Sequence, residues 1–173
     1  MNKEIKELIE KIEQWAEERN LIEGSTPQKQ SLKLMEEFGE LCGGVAKNKP
    51  EVIKDSIGDC FVVLIILAQQ LKVEIEFEYI FDATYKNLKN TNDDPIVSMV
   101  LFTARAGGLA NSIGYETDPS FELAGMFSLL VLISSKLYLN LTDCVQHAYN
   151  QIKDRKGRMI DGVWVKQEDL QNE

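Results

Sequence analysis

The feature that most constrains this chain is an aliphatic run that begins directly after a carboxylate. Residues 61–67 read Phe-Val-Val-Leu-Ile-Ile-Leu, and Asp59 stands two positions before them. A helix that is apolar on every side is typical of a protein interior. Because a lone carboxylate carried into such an interior costs several kcal/mol unless it is paired or binds a metal, Asp59 is predicted to serve a function.

The remainder of the chain shows the periodicity of amphipathic helices. Apolar residues recur at three- and four-residue intervals, and each of the four prolines precedes such a segment. The predicted helices cover residues 3–19, 28–47, 51–71, 75–90, 95–113, 119–138 and 141–155. Residues 159–165 favour a short hairpin or an extended tail. The expected fold class is therefore all-α: one helical-bundle domain over residues 1–173 with a short extended C-terminal tail.

Two parts of the chain share an apolar pattern. Residues 34–41 can be aligned with 102–109, and residues 61–67 with 127–133. The alignment predicts two tandem helical units, about 27–90 and 95–158, packed as a pseudo-dimer. Chance similarity between helical hairpins is the alternative.

The two units differ in their acids. The aligned pairs are Glu36 with Ala104, Glu37 with Arg105, Glu40 with Gly108, and Asp59 with Gly125. The second unit keeps the apolar pattern and lacks every one of these acids. It is therefore predicted to be degenerate, so that one chain has one acidic site.

Composition restricts the partners. The net charge of −9 makes a nucleic acid polymer a poor partner and favours a divalent cation between the protein and any phosphate. The charged N-terminus predicts no signal peptide, and the run at 57–68 is too short to span a bilayer, so no membrane partner is expected.

Three cysteines without C-x-x-C spacing are typical of free core thiols in a cytoplasmic protein. A homo-oligomer, with a dimer favoured, is expected because apolar helix faces remain after internal pairing.

The acids lie at helical spacing. At about 100° per residue, Glu36, Glu37 and Glu40 share one side of their helix. The opposite, apolar side carries Met35, Phe38, Leu41, Cys42 and Val45. Asp55 and Asp59 share a side of the next helix, and antiparallel packing would bring both acidic sides together. A site made only of carboxylate oxygens favours Mg²⁺, with Mn²⁺ as the alternative. For Glu36, a solvated helix face is the competing interpretation.

These residues carry a resemblance to a known family. Glu37-x-x-Glu40, a gap, and Asp59 before an aliphatic helix resemble the all-α nucleotide pyrophosphohydrolases of the MazG type. That superfamily includes dimeric dUTPases, dCTPases and phosphoribosyl-ATP pyrophosphohydrolase. Its signature is E-x-x-E followed by E-x-x-D, with the acids binding magnesium. The chain departs from the signature at Ser56, where the third acid is expected. The resemblance implies Glu37, Glu40, Asp55 and Asp59 as metal ligands, with Asp55 replacing the missing acid.

The resemblance also implies a reaction. Members cleave a nucleoside triphosphate into the monophosphate and pyrophosphate, so the expected activity is magnesium-dependent hydrolysis of this kind. The candidate catalytic residues are Glu36, Glu37, Glu40 and Asp59, and Glu36 or Asp55 is the candidate base. The end of the chain is similar to the family too, and Asn150, Lys153, Arg155 and Lys156 are candidate nucleotide contacts. A solvated basic cluster after a helix is the alternative for these residues.

Three other functions compete with this interpretation. A deoxynucleotide-specific dUTPase or dCTPase suits the duplicated plan. A non-enzymatic helical interaction protein would carry the acids as a salt-bridged surface. A ferritin-like di-iron bundle needs E-x-x-H pairs, and His147, the single histidine, is not in one. Trp15, Gln28 and Lys29 are further candidates for contacts with a base or a phosphate.

Overall fold

The computed structural model describes residues 3–90, 94–167 and 170. These residues form seven α-helices, one 3₁₀ turn at Leu88–Asn90 and one two-stranded hairpin. The helices are α1 Lys3–Glu18, α2 Pro27–Ala46, α3 Pro50–Gln70, α4 Phe77–Asn87, α5 Pro95–Tyr115, α6 Ser120–Lys136 and α7 Leu141–Ile152. The strands β1 Gly157–Ile160 and β2 Val163–Lys166 pair antiparallel. The predicted all-α class is confirmed.

The helix starts follow the predicted proline signals, with one difference. Thr26 caps α2 by accepting a hydrogen bond from the backbone N–H of Lys29, and Pro27 is the first helical residue. Pro50 and Pro95 are likewise the first residues of α3 and α5; Asp94 caps α5, whereas α3 has no side-chain cap. Pro119 instead occupies the position before the first helical residue, so α6 begins at Ser120. Proline suits these positions because it has no N–H to leave unpaired.

Helix α3 forms the centre of the molecule. Its residues from Cys60 to Ala68 are buried without interruption, which the apolar run predicted. Helices α2 and α7 make its most extensive contacts, and α1 and α6 also pack on it. The third helix of each predicted unit packs on the second helix of the other unit: α7 on α3, and α4 on α6.

The aligned phenylalanines of the two units meet across this arrangement. The rings of Phe61 and Phe127 pack edge to face, with their centroids 5.1 Å apart. If a pseudo-twofold axis relates the two predicted units, aligned residues such as Phe61 and Phe127 are expected to contact each other near that axis. The duplication and the limits of the two units remain predictions.

The outer side of α2 differs from the predicted pattern. Phe38 stacks on Phe102 of α5, with their centroids 4.5 Å apart, and Leu41 is buried. Met35 and Cys42, which were placed on the same core-facing side, are exposed. The assignment of Cys42 as a core thiol is therefore wrong, whereas Cys60 and Cys144 are free and buried. The difference arises because no helix among the described residues covers Met35 and Cys42.

Candidate active site

A cleft of about 520 Å³ lies between α2, α3, the end of α7 and the hairpin. All five acids singled out in the sequence line this cleft. Glu36, Glu37 and Glu40 come from α2, and Asp55 and Asp59 come from α3. The antiparallel packing of the two acidic helices thus brings their carboxylates to one cavity.

Asp59 lies where its charge is least favourable. Burial, then the nearby charges of Glu37 and Asp55, raise the pKa of Asp59 to about 7. The cations Lys33 and Arg155 act in the opposite direction and do not offset the increase. A carboxyl group with such a pKa in a cleft is typical of a functional site.

Glu37 is the most enclosed acid of α2. Its side chain is buried and forms an ion pair with Lys33, one helical turn earlier, at 2.5 Å. The same ammonium group lies 3.1 Å from the carboxylate of Glu36. Lys33 therefore neutralises part of the negative charge on this wall of the cleft. The sequence contained a signal for this pairing, since residues four apart on a helix are neighbours.

Asp55 is held by two side chains of α7. The amide of Gln151 donates a hydrogen bond of 2.7 Å to its Oδ1 atom. His147 places Nε2 at 3.5 Å from the same oxygen and 2.9 Å from the Gln151 amide nitrogen. This contact fixes the carboxylate that was expected to replace the acid missing at Ser56. Ser56 itself is buried.

The acids line one cleft without forming a finished metal site. Among residues 3–90, 94–167 and 170, no three His, Cys, Asp or Glu side chains are grouped closely enough to hold a metal ion. Glu37 faces Lys33, and Asp55 faces Gln151 and His147. The acids therefore share one cleft, as predicted, but among the described residues they are not close enough together to ligate one metal ion.

Of the four predicted nucleotide contacts at the end of the chain, only Arg155 is part of the cleft lining. Lys153 and Lys156 are exposed and are not part of the lining, and the amide oxygen of Asn150 accepts a hydrogen bond from Gln146. Lys29 does line the cleft.

Sequence reasoning missed several residues of the lining. Lys33, Lys166 and Trp164 belong to it, as does the buried side chain of Gln30. Lys166 and Trp164 lie on the hairpin, far along the chain from the acids, so no local pattern identified them.

A hydrogen bond and a cation–π contact hold the hairpin against the cleft. The Lys29 ammonium group donates to the carbonyl of Asp161 in the turn between β1 and β2. The guanidinium of Arg19 lies over the rings of Trp15 and Trp164, at 4.9 Å and 5.9 Å from their centroids. It also donates to the carbonyl of Lys153 at 2.7 Å. The C-terminal tail is therefore one wall of the cleft.

In the predicted second unit, an ion pair lies at the positions aligned with the acids. Arg105, aligned with Glu37, lies 3.1 Å from the carboxylate of Glu122. A Cβ atom at Gly108 would lie 2.7 Å from that carboxylate, and one at Gly125 would lie 2.9 Å from the Arg105 Nε atom. The two glycines, aligned with Glu40 and Asp59, leave room for the pair. An Arg–Glu contact between α5 and α6 thus stands where the first unit has its acids.

Comparison with known proteins identifies a family for part of the chain. Residues 25–92 match the family model of the MazG nucleotide pyrophosphohydrolase domain. The chain belongs to this MazG-like superfamily of nucleotide pyrophosphohydrolases, whose substrates are nucleotides.

A phage protein resembles most of the chain. It is described as an uncharacterized 18.2 kDa protein in the rep-hol intergenic region of Haemophilus phage HP1. The two are 45% identical over 164 residues, which cover 84% of this chain and 98% of the phage protein. Because 84% of this chain is covered, the likeness extends past residue 92, where the family match ends. No solved structure gives a significant match.

Proposed function

We propose that the protein is a magnesium-dependent pyrophosphohydrolase that converts a nucleoside triphosphate and water into the monophosphate and pyrophosphate. The observation that carries this proposal is the single cleft in which Glu36, Glu37, Glu40, Asp55 and Asp59 lie together. Membership of the MazG-like superfamily supports the reaction class. A purely structural acidic surface would not account for Asp59, which lies inside the cleft with its pKa raised to about 7.

The donor atoms fit magnesium. Every candidate ligand is a carboxylate, and hard divalent cations prefer oxygen. The excess of negative charge around Asp59 is what a bound cation would relieve. We expect Glu37, Glu40, Asp55 and Asp59 to hold the ion, with Glu37 exchanging its contact to Lys33 for this role. When bound, magnesium neutralises phosphate oxygens and polarises the phosphorus that is attacked.

Cations of the cleft are proposed to bind the phosphates, and carboxylates are proposed to activate the attacking water. Lys29, Lys33, Arg155 and Lys166 line the cleft as cations that can grip the phosphates. Glu36 is the candidate base that takes a proton from the attacking water, and Asp55 is the alternative base if it does not bind the ion. Asp55 is suited to this task because Gln151 and His147 hold its carboxylate in one orientation. The bond between the α-phosphorus and its bridging oxygen breaks, and pyrophosphate leaves.

The apolar part of the cleft is the proposed base subsite. Its lining includes Trp164, Leu21 and Ile66, together with the buried amide of Gln30. The Gln30 amide nitrogen donates to the Ser25 hydroxyl at 3.3 Å, which orients an amide toward the cavity. An aromatic ring beside an oriented amide suits a nucleobase, since bases stack and present hydrogen-bonding edges.

The decisive test is pyrophosphate release from a panel of ribo- and deoxyribonucleoside triphosphates with and without magnesium. We expect release that depends on magnesium and falls about 100-fold or more in Glu40→Gln, because a lost ligand weakens the site at least as much as a lost supporting contact. A preference confined to dUTP or dCTP would assign the protein to the narrower alternative.

A matched acid outside the lining of the cleft provides the control. Glu7 of α1 is exposed and pairs with Lys3, so Glu7→Gln should retain the wild-type rate. If Glu40→Gln hydrolyses every nucleotide as fast as the wild type, the site assignment is wrong. If magnesium changes neither turnover nor thermal stability, the non-enzymatic interaction protein is the better interpretation.

A further inference from the structure

Gln30 presents an amide to the cleft that is paired on one side and open on the other. The side chain lines the cleft and is 8% exposed, and Ser25 beside it is 7% exposed. The Gln30 amide nitrogen donates to the Ser25 hydroxyl. Among the described residues no group donates to the Gln30 Oε1 atom, and solvent reaches this oxygen. Gln30 therefore offers a hydrogen-bond acceptor to whatever enters the cavity.

The first turn of α2 orients this amide before any ligand binds. Thr26, which directly follows Ser25, caps the helix by accepting a hydrogen bond from the backbone N–H of Lys29. The backbone N–H of Gln30 donates to the Thr26 carbonyl at 3.0 Å. Ser25 and Gln30 are thus held on either side of one fixed turn, and their side chains meet in a buried place where water does not compete for the contact.

Neighbouring polar groups of the apolar part of the cleft are already paired within the protein. The indole N–H of Trp15 donates to the Ile152 carbonyl at 3.1 Å. The Leu21 carbonyl accepts a hydrogen bond of 2.8 Å from the Gln70 amide. Trp15, Leu21 and Ile152 all belong to the lining. A ligand group placed among them therefore finds its hydrogen-bond acceptor in Gln30.

The position of Gln30 along α2 suits a nucleotide. Gln30 and Glu37 are seven residues apart, and both side chains are buried. Seven residues are two helical turns, which separate the two positions by about 10 Å along the axis and return to the same side of the helix. A base held at Gln30 therefore has room for its sugar before the phosphates reach Glu37 and Glu40.

We propose that Gln30 selects the base, and that the preferred substrates are nucleotides whose base carries an exocyclic amine, namely cytosine or adenine. This inference rests on the proposed function, since it concerns the same cleft. The amine donates to the Gln30 Oε1 atom. Uracil, thymine and guanine have a keto oxygen at the corresponding position of the base, so that two acceptors would face each other and both would stay unpaired. The dUTPase alternative is disfavoured for the same reason.

The test compares kcat/KM of magnesium-dependent pyrophosphate release within two matched pairs of substrates. CTP and UTP differ by the replacement of the amine with a keto oxygen, and so do ATP and ITP. The wild type should favour CTP and ATP about 10-fold or more, which is the effect of leaving one buried acceptor unpaired. Gln30→Met keeps the length of the side chain and removes the acceptor, so the two values within each pair should converge. Ser25→Ala removes the anchor of the amide and should also reduce the preference.

The matched control is Gln14→Met on α1. Gln14 is exposed, bonds to Glu18 and lies outside the lining of the cleft, so this variant should keep the wild-type preference. Circular dichroism checks that all three variants are folded. A wild type that treats both members of each pair alike or favours UTP and ITP would overturn the proposal, as would a folded Gln30→Met protein that keeps the preference.

Binding without hydrolysis separates this inference from the proposed function. The probes are the α,β-methylene analogues of CTP and UTP, in which the bridging atom cannot leave, and quenching of tryptophan fluorescence reports their binding. The wild type should bind the CTP analogue about 10-fold more tightly. Equal binding of the two analogues, or binding of neither, would overturn the selection by Gln30. A protein that prefers the CTP analogue and releases no pyrophosphate from any nucleotide would support that selection and refute the proposed function.

Discussion

Asp59 carries an electrostatic cost inside the candidate active site. The carboxyl group lies among Val62, Val63 and the acids of the cleft, and its pKa is raised to about 7 by burial and then by Glu37 and Asp55. A group whose pKa is higher in the folded than in the unfolded protein stabilises the fold at low pH, and this stabilisation is lost as the pH rises through the folded value.

The direction of this pH dependence gives a prediction for the stability of the metal-free protein. At about 1.4 kcal/mol per pKa unit, the shift from 3.8 to about 7 costs up to about 4 kcal/mol at alkaline pH. Asp59→Asn should therefore raise the free energy of unfolding at pH 8 in the presence of a chelator, and the gain should vanish near pH 4. Urea denaturation at both pH values measures it.

Asp154→Asn is the control for this experiment, because Asp154 is an exposed aspartate of the same chain. It should change stability little at either pH. An Asp59→Asn protein that is less stable than the wild type at pH 8 would contradict the electrostatic account of the site. Adding magnesium to the wild type should remove the advantage of the variant, provided that the cation binds as proposed.

At the scale of elements, the close approach of α3 and α7 positions the site. Gly58 is the residue that permits it: a Cβ atom there would overlap the Cys144 carbonyl oxygen and lie 2.7 Å from the Cβ atom of Ala148. The neighbouring residue is Asp59, and α7 also supplies Gln151 and His147 to Asp55. The glycine thus sets the distance between the helices that carry the site.

Substituting this glycine should be costly. Gly58→Ala is expected to lower the free energy of unfolding by about 3 kcal/mol, since the added methyl group meets backbone that cannot move independently of the helix. Gly39→Ala is the matched change, because a Cβ atom at Gly39 of α2 meets nothing within 4 Å. It should stabilise the protein by roughly 1 kcal/mol through helix propensity. Chemical denaturation of both variants tests the pair, and equal effects would refute the packing argument.

At the scale of the whole molecule, α2–α4 and α5–α7 are two successive sets of three helices, and their side chains differ in chemistry. The acids of the first half face a cleft, whereas Arg105 and Glu122 close the corresponding space in the second half. Helix α4 of the first half packs on α6, and α7 of the second half packs on α3, so the two halves share one core. The second half therefore contributes α7 and the hairpin to the cleft.

This asymmetry predicts opposite outcomes for two matched substitutions. Glu37→Gln should lower magnesium-dependent pyrophosphate release about 100-fold or more, whereas Glu122→Gln should leave the rate unchanged. Because Arg105 and Glu122 are partly exposed, losing their pairing should cost about 1 kcal/mol of stability or less. A Glu122→Gln enzyme that loses activity while it remains folded would mean that the second half takes part in the reaction.

Much of this protein is determined by local patterns in its sequence. Apolar periodicity and the proline and Thr26 signals located all seven helices to within a few residues. The spacing of Glu36, Glu37 and Glu40 and of Asp55 and Asp59 predicted that they share one cavity, because positions on one helix face are fixed by the helical repeat. The exposed Met35 and Cys42 show the limit of this reasoning, since an apolar helix side reveals nothing about whether another helix covers it.

Tertiary structure alone decided which distant groups reach Asp59 and its neighbours. The sequence established an acidic helix before an aliphatic helix, and with them the fold class and the acids of the site. It contained no signal that Trp164 and Lys166 of the hairpin would line the cleft, or that His147 and Gln151 would hold Asp55. Those contacts join residues about 90 or more positions apart, so they depend on how α7 packs on α3 and not on any local pattern.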